Sequence, residues 1–175
     1  MNDQHLVPLT EHHEPAGFDC GNDQLNAWLL DHAPASQRAD LARTYLVLDG
    51  DDVAGYVSLT SGSIRQEHAP KRYARGRPRH PIPTILIARL AVDLRHQRQG
   101  LGSRLLAEAL RRAVAASDTA AARIVVVDAL DDRAAAAPAA GDSSMGRRVL
   151  CACFARSPTF VGRFSASEEL SLIHI

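Results

Sequence analysis

The chain has 175 residues, a length that fits one domain with a sizeable core. Its hydrophobic share of 46% and charged share of 23% are ordinary for a soluble globular protein, and a formal net charge of zero removes any global demand for nucleic acid. Three cysteines, an odd number without metal-type spacing, suit a reduced cytoplasmic setting. With no positively charged start leading into an apolar core and no apolar run of membrane-spanning length, no membrane partner is expected.

Leu6 to Leu9 reads as a short opening strand, with Pro8 suited to an edge. Phe18 to Asn22 is a turn, and Asn22 or Asp23 can cap the helix that follows. Leu25, Trp28, Leu29 and His32 recur at helical spacing until Pro34 ends or restarts that helix. Tyr45 to Leu48 and Val53 to Thr60 form a hairpin around the tight turn Asp49-Gly50-Asp51-Asp52. A Pro- and Arg-rich connection, residues 66–83, leads to a strand over Thr84 to Val92. Leu101, Leu105, Leu106, Ala109, Leu110 and Val114 give the next helix, over about residues 101–116, one apolar face. Ile124 to Val127 is a buried strand, and Asp131 to Ala137 starts another helix. The order specifies an α/β fold with a mixed sheet, parallel across the crossover from residue 92 to residue 124.

The junction between the strand ending at Val92 and the helix starting at Leu101 carries the clearest chemistry. It reads Gln97-Arg98-Gln99-Gly100-Leu101-Gly102-Ser103. The first amides of a helix lack internal acceptors, and the helix dipole adds partial positive charge beside them. Glycines at 100 and 102 let a phosphate approach the backbone without a Cβ in the way. A nicotinamide fingerprint would want a third glycine near 105, where Leu105 stands, and an acidic residue such as Asp128 closing the next strand. That strand does not follow a βαβ start near the N-terminus, so a different phosphate-bearing cofactor fits better.

The strand ending Arg89-Leu90-Ala91-Val92, then Gln97, Gly100 and Gly102, then an amphipathic helix, resembles the acetyl-CoA loop of the GNAT N-acetyltransferases. In that family the loop runs Gln or Arg, two free residues, Gly, one free residue, then Gly or Ala. The resemblance implies a GNAT fold, a mixed central sheet flanked by helices, with acetyl-CoA as co-substrate. It implies that the backbone of Leu90, Ala91 and Val92 pairs with the pantetheine arm like an added strand. It assigns the pyrophosphate to the loop that begins at Gln97, through the amides of Arg98, Gln99, Gly100, Gly102 and Ser103, with charge from Arg98 and Arg104.

Residues 17–133 carry a narrower resemblance. Phe18-Asp19-Cys20-Gly21, Leu25 to Leu29, Gly55 to Leu59, Pro81-Ile82-Pro83, Ala88 to Asp93 and Val127 to Leu130 look like the GNAT toxins of type II toxin–antitoxin pairs. Those enzymes acetylate the α-amine of aminoacyl-tRNA and stop translation. The resemblance implies aminoacyl-tRNA as substrate, a ribbon-helix-helix antitoxin as partner, and a homodimer. Phe18, Leu25, Trp28 and Leu29 are themselves expected in the core.

In the toxins the acid that protonates the departing thiolate is a tyrosine in a Phe-Tyr pair. Here Asp131 to Ala136 is followed by Ala137-Pro138, so the pair is absent and the catalytic acid is unassigned; weak or absent turnover with intact acetyl-CoA binding is expected. Tyr45, Tyr56 and Tyr73 are poorly placed to substitute, and Ser143 and Ser144 are arbitrary choices. Residues 138–175 lack clear periodicity and the family's final strand, so the domain is expected over 1–137, with an atypical tail that is either frame-altered near 137 or poorly ordered. Translating the neighbouring frames of the gene tests this: the idea fails if neither encodes a Phe-Tyr pair.

Between Arg65 and Arg112 there are twelve Lys or Arg against three acids. Arg72, Arg75, Arg77 and Arg79 cluster in the connection before the cofactor strand, with Tyr73 among them to stack on a base, and are the candidate tRNA contacts. The bland reading is a solvated loop in a chain whose arginines outnumber lysines nineteen to one. His68 and His80 have no partner spacing for a metal, and Cys20, Cys151 and Cys153 have no zinc spacing; Cys20 is expected to be a small buried residue. Two other functions remain open: a GNAT enzyme for small amines or protein N-termini, and a catalytically impaired protein that only binds acetyl-CoA or antitoxin.

Overall fold

A computed structural model describes residues 6–65, 80–120, 122, 124–129 and 148–153. Among the described residues six strands lie in one sheet in chain order: β1 (Val7–Pro8), β2 (Arg43–Asp49), β3 (Asp52–Ile64), β4 (Ile82–Val92), β5 (Ile124–Ala129) and β6 (Arg148–Cys153). Every neighbouring pair is antiparallel except β4 and β5. A parallel pair needs a long crossover, and the helix α3 (Leu101–Ala120) supplies it.

Asn22 is the helix cap. Its Oδ1 accepts from the amides of Gln24 at 3.0 Å and Leu25 at 3.2 Å, opening α1 (Asp23–Ala27). Pro34 does not break the segment. A π turn over Trp28–His32 absorbs the lost backbone donor, and α2 (Ala33–Arg38) starts with Pro34 in its first turn.

The sheet is longer than the apolar pattern indicates. Ser61, Gly62 and Ser63 are weak strand formers, yet they pair with Ile85, Thr84 and Pro83 because the β4 ladder is already in register. Strand β6 falls in the stretch expected to lack a final strand, where the sequence shows no alternation, and so corrects that expectation. It pairs with β5 from Ile124 opposite Cys153 to Ala129 opposite Arg148, so the exposed edge of β5 selects it rather than local periodicity. The expected helix over Asp131 to Ala137 lies outside the described residues.

Each face of the sheet buries its own core. On one, Leu101, Leu105, Ala109 and Ala113 of α3 pack on Val47, Val57, Ile85, Ile87 and Val125. On the other, Leu25, Leu29 and Ala33 cover Leu46, Val53, Tyr56 and Ala91, with Phe18. Gly55 sets how closely α3 approaches. A Cβ there would lie 2.9 Å from Leu105 Cδ1 and 3.1 Å from the Ala91 carbonyl oxygen. Gly55→Ala should therefore cost about 1–3 kcal/mol by overpacking, measured by denaturant unfolding. An unchanged midpoint would mean that α3 shifts freely on the sheet.

Candidate cofactor and acceptor site

The site begins where β4 and β5 separate. Their pairing runs from Thr84 opposite Ile124 to Ile87 opposite Val127 and stops there, while β4 continues to Val92. A bulge coincides with the parting: Ser58 faces Arg89 and Leu59 faces Ile87, which leaves Ala88 as the extra residue of β4. Bulges bend and twist a strand, and this one directs the end of β4 away from β5. The Asp93 amide donates to the Ala54 carbonyl at 3.0 Å, making that pair hydrogen-bonded. By antiparallel alternation Ala91 then turns its N–H and C=O toward β3, and Leu90 and Val92 face the opening. Of the three backbone positions expected to meet a ligand, these two face the opening, with the Val92 carbonyl already accepting from Gln97.

At the mouth of the opening stands the predicted cradle. After a 3-10 turn (Leu94–His96), Arg98 and Gly100 take left-handed backbone angles, φ 61° and 79°. Glycine adopts this freely; arginine is strained there, as functional loops often are. The first bond of the α3 ladder runs from the Arg104 amide to the Gly100 carbonyl at 3.2 Å. The amides of Leu101, Gly102 and Ser103 precede it and have no acceptor inside the helix. An open cleft of about 500 Å³ is lined by Val92, Leu94, Gln97, Arg98 and Gly102. Ser103 and Arg104 are exposed on the first turn.

Two predicted ligands behave differently. Gln97 spends its Nε2 on the backbone, donating to the Cys20 carbonyl at 3.1 Å and the Val92 carbonyl at 3.0 Å. Gln99 Nε2 donates to the Arg95 carbonyl at 3.0 Å, so its side chain closes the turn and its backbone is what remains for an anion.

Sequence reasoning did not single out the group beneath the loop. Asp93 is 1% exposed. Its Oδ2 accepts from the Asp19 amide at 3.1 Å, and its Oδ1 from the Arg95 amide at 2.9 Å and Nε at 2.8 Å. The Arg95 side chain, then the Asp19 and Arg95 amides, outweigh burial and hold this carboxyl at about 2. The Leu94 amide also donates to the Asp19 carbonyl at 2.8 Å. On the far side Arg95 reaches Asp52 at 3.0 Å and His96 Nε2 lies 3.1 Å from Asp49, tying the loop to the β2–β3 turn. The available signals were the polar turn residue Asp19 and an acid directly after an apolar strand.

The opposite face of β4 is aromatic. Phe18 meets Tyr56 edge-on at 5.5 Å, Trp28 stacks on Tyr56 at 5.8 Å, and the Arg89 guanidinium lies 5.5 Å from the Trp28 ring centroid. Phe18, Leu25 and Leu29 are core residues as expected, while Trp28 is half-buried. Tyr56 is fully buried, its hydroxyl donates to the Leu25 carbonyl at 2.9 Å, and burial pushes its phenol far up, so it is not a catalytic acid. Cys20 is half-buried rather than buried; its Sγ donates to Asn26 Oδ1 at 3.1 Å, and burial raises its thiol, which disfavours a nucleophile. Arg89 is half-buried, and no carboxylate among the described residues pairs with it. His80 is exposed. His68, Tyr73, Arg72, Arg75, Arg77 and Arg79 lie outside the described residues, as do Ser143 and Ser144.

Parted parallel strands with an anion cradle at their mouth agree with the profile of the Acetyltransferase (GNAT) family, which matches residues 6–139. The chain belongs to the GNAT family. This sets aside the nicotinamide reading and establishes the GNAT fold. The GNAT chain is 36% identical over 128 residues to a tRNA-acetylating toxin of Mycobacterium tuberculosis, covering 73% of this chain and 76% of that protein. It is 32% identical to a probable toxin TacT of Sinorhizobium fredii, covering 67% of each. Among solved structures it is similar to AtaT complexed with acetyl-methionyl-tRNAfMet, with TM-score 0.68 and 28% identity over 75% of this chain and 81% of that one. It is also similar to AtaTR bound with acetyl-CoA, with TM-score 0.70 and 26% identity over 87% and 95%. Among the described residues no helix is long and apolar enough to cross a membrane.

Proposed function

We propose that this GNAT protein transfers the acetyl group of acetyl-CoA to the α-amine of aminoacyl-tRNA and so blocks translation as a toxin. The observation that carries the reading is the opening between β4 and β5, with helix-start amides at its mouth and an aromatic, cationic face behind it. The pyrophosphate rests on amides 98–103, and the pantetheine arm runs along Leu90 and Val92 into the opening. The α-amine, with a pKa of roughly 7.7–8.0, is neutral often enough at cytoplasmic pH to attack without a strong base. Its nitrogen bonds to the thioester carbon, the C–S bond breaks, and the proton lost by the amine balances the one gained by the thiolate. Backbone N–H groups at the end of β4 steady the carbonyl oxygen. Arg72, Arg75, Arg77 and Arg79 carry the tRNA backbone, a ribbon-helix-helix antitoxin neutralises the toxin, and the active unit is a homodimer. Residues 138–175 are atypical in sequence for the family, although Arg148–Cys153 within them join the sheet as β6.

Arg89 supplies the cation on the acceptor face. Its guanidinium contacts a phosphate near the 3′ end of the tRNA. Arg89→Gln should weaken binding of an acceptor-stem RNA by about tenfold and flatten its salt dependence by nearly one counterion. Arg89→Lys should restore the slope. Equal slopes for wild type and Arg89→Gln would remove Arg89 from the interface.

The reaction is tested by single-turnover incubation of excess protein with labelled acetyl-CoA and total charged tRNA. Label is expected on charged tRNA and not on deacylated tRNA. Label on neither, from protein that binds acetyl-CoA, would favour the second reading, a binding protein impaired in catalysis. That reading is supported by the absence of a Phe-Tyr pair between Asp131 and Pro138.

A further inference from the structure

We infer that Gln97 is a positioning strut for the cofactor cradle and not one of its ligands, an inference that rests on the acetyl-CoA reading of the cleft. The single Nε2 of Gln97 donates to two carbonyls from different parts of the chain, Val92 at the end of β4 and Cys20 in the turn before α1. It therefore closes a bridge between the strand that enters the opening and the turn that launches the helix carrying Trp28. The bridge is not isolated. The Leu94 amide donates to the Asp19 carbonyl at 2.8 Å, Asp93 Oδ2 accepts from the Asp19 amide at 3.1 Å, and the Cys20 amide is itself held by Asn26 Oδ1 at 3.0 Å. Leu94 also lies against Gly21, where a Cβ would meet its Cδ2 at 3.3 Å. Together these contacts fix the approach to the left-handed Arg98, whose strained backbone must be imposed by its surroundings.

The role has a chemical requirement. Both partners of Gln97 are acceptors, so position 97 needs a donor. Glutamine and arginine satisfy this, glutamate of the same size cannot, and methionine fills the space without donating. A strut also differs from a ligand in when it acts: it orders the loop before any cofactor arrives, whereas a ligand's effect begins with binding.

Three variants separate the cases: Gln97→Arg, Gln97→Glu and Gln97→Met. Acetyl-CoA affinity of the full chain is measured by titration, and amide hydrogen exchange over residues 19–22 and 98–103 is followed in the cofactor-free protein. The expected result is affinity within about threefold of wild type for arginine, and a loss of roughly tenfold or more for glutamate and methionine, the yield of one to two hydrogen bonds. In the same two variants exchange should quicken over both segments without cofactor. Weakened binding with unaltered exchange in the free protein would make Gln97 a direct ligand and overturn the inference. Methionine binding as tightly as glutamine would overturn it as well. Wild-type protein that is folded but binds no acetyl-CoA would instead remove the cofactor reading itself, and the strut with it.

Discussion

Gly102→Asp should abolish the rise in melting temperature that acetyl-CoA gives the wild-type protein, and leave the melting temperature of the free protein nearly unchanged. The two halves of this expectation have separate causes. A Cβ at position 102 meets Val92 Cγ2 at 3.7 Å, an ordinary contact, so the backbone accepts a side chain there without a clash at its first carbon. An acidic residue in the first turn of α3 is moreover favoured by the helix dipole, by about 0.3–1 kcal/mol. The same side chain projects into the cleft that Gly102 lines and places a carboxylate where a diphosphate must sit. Like charges at contact distance and a blocked set of amides should reduce affinity by at least about a hundredfold, a few kcal/mol of lost electrostatic and hydrogen-bond energy. Ligand stabilisation scales with the logarithm of occupancy, so at an acetyl-CoA concentration that stabilises wild type by about 2.7 kcal/mol the variant should gain well under 1 kcal/mol. Gly102→Ala is the control: it adds the Cβ without the charge and should retain most of the shift. An aspartate variant that acetyl-CoA stabilises as fully as wild type would move the diphosphate away from the start of α3.

Asp93→Asn should lower stability by roughly 2–3 kcal/mol and alter its dependence on acid. The substitution keeps the shape of the side chain but turns an amide N–H2 toward donors. Either the Asp19 amide or the Arg95 group then loses its acceptor in a site that is closed to water. The acid dependence follows from the direction of the shift. The Asp93 carboxyl falls from an ordinary 3.8 to about 2 in the folded protein, chiefly because Arg95 bonds its charged form. A group depressed on folding contributes its stabilisation fully above its unfolded value, and the contribution is lost as pH falls through its folded value. Between about pH 4 and pH 2 the wild-type protein should therefore lose stability more steeply than Asp93→Asn, measured by urea unfolding across that range. Parallel curves would show that the carboxylate is not the charge that secures the loop.

Much of this architecture was legible in the residues. The strand–loop–helix junction could be read because three local signals agree there: the apolar run to Val92, the glycines at 100 and 102, and the apolar periodicity of α3. The hairpin turn at Asp49 to Asp52 is likewise local and came through directly, and the cap is Asn22, one of the two positions the sequence left open. What was hidden depends on partners distant in sequence. Nothing near residue 97 indicates that its amide points to Cys20, 77 positions earlier. Nothing around Asp93 reveals the Asp19 amide, 74 positions away. The bulge at Ala88, which opens the sheet, is a mismatch between two strands and has no signature in either one. Strand β6 is the converse case, a segment without alternation that a waiting edge makes into a strand. Leu90, Ala91 and Val92 looked equivalent as a motif; only the pairing of Asp93 with Ala54 shows that Ala91 is turned inward.

Calorimetric titration of the full chain with acetyl-CoA bears most directly on the anion cradle, the point on which the remaining chemistry depends. One saturable site is expected, competed by coenzyme A and lost in Gly102→Asp. A folded protein that gives no heat of binding and shows no competition would contradict the assignment of residues 98–103 as the seat of a diphosphate.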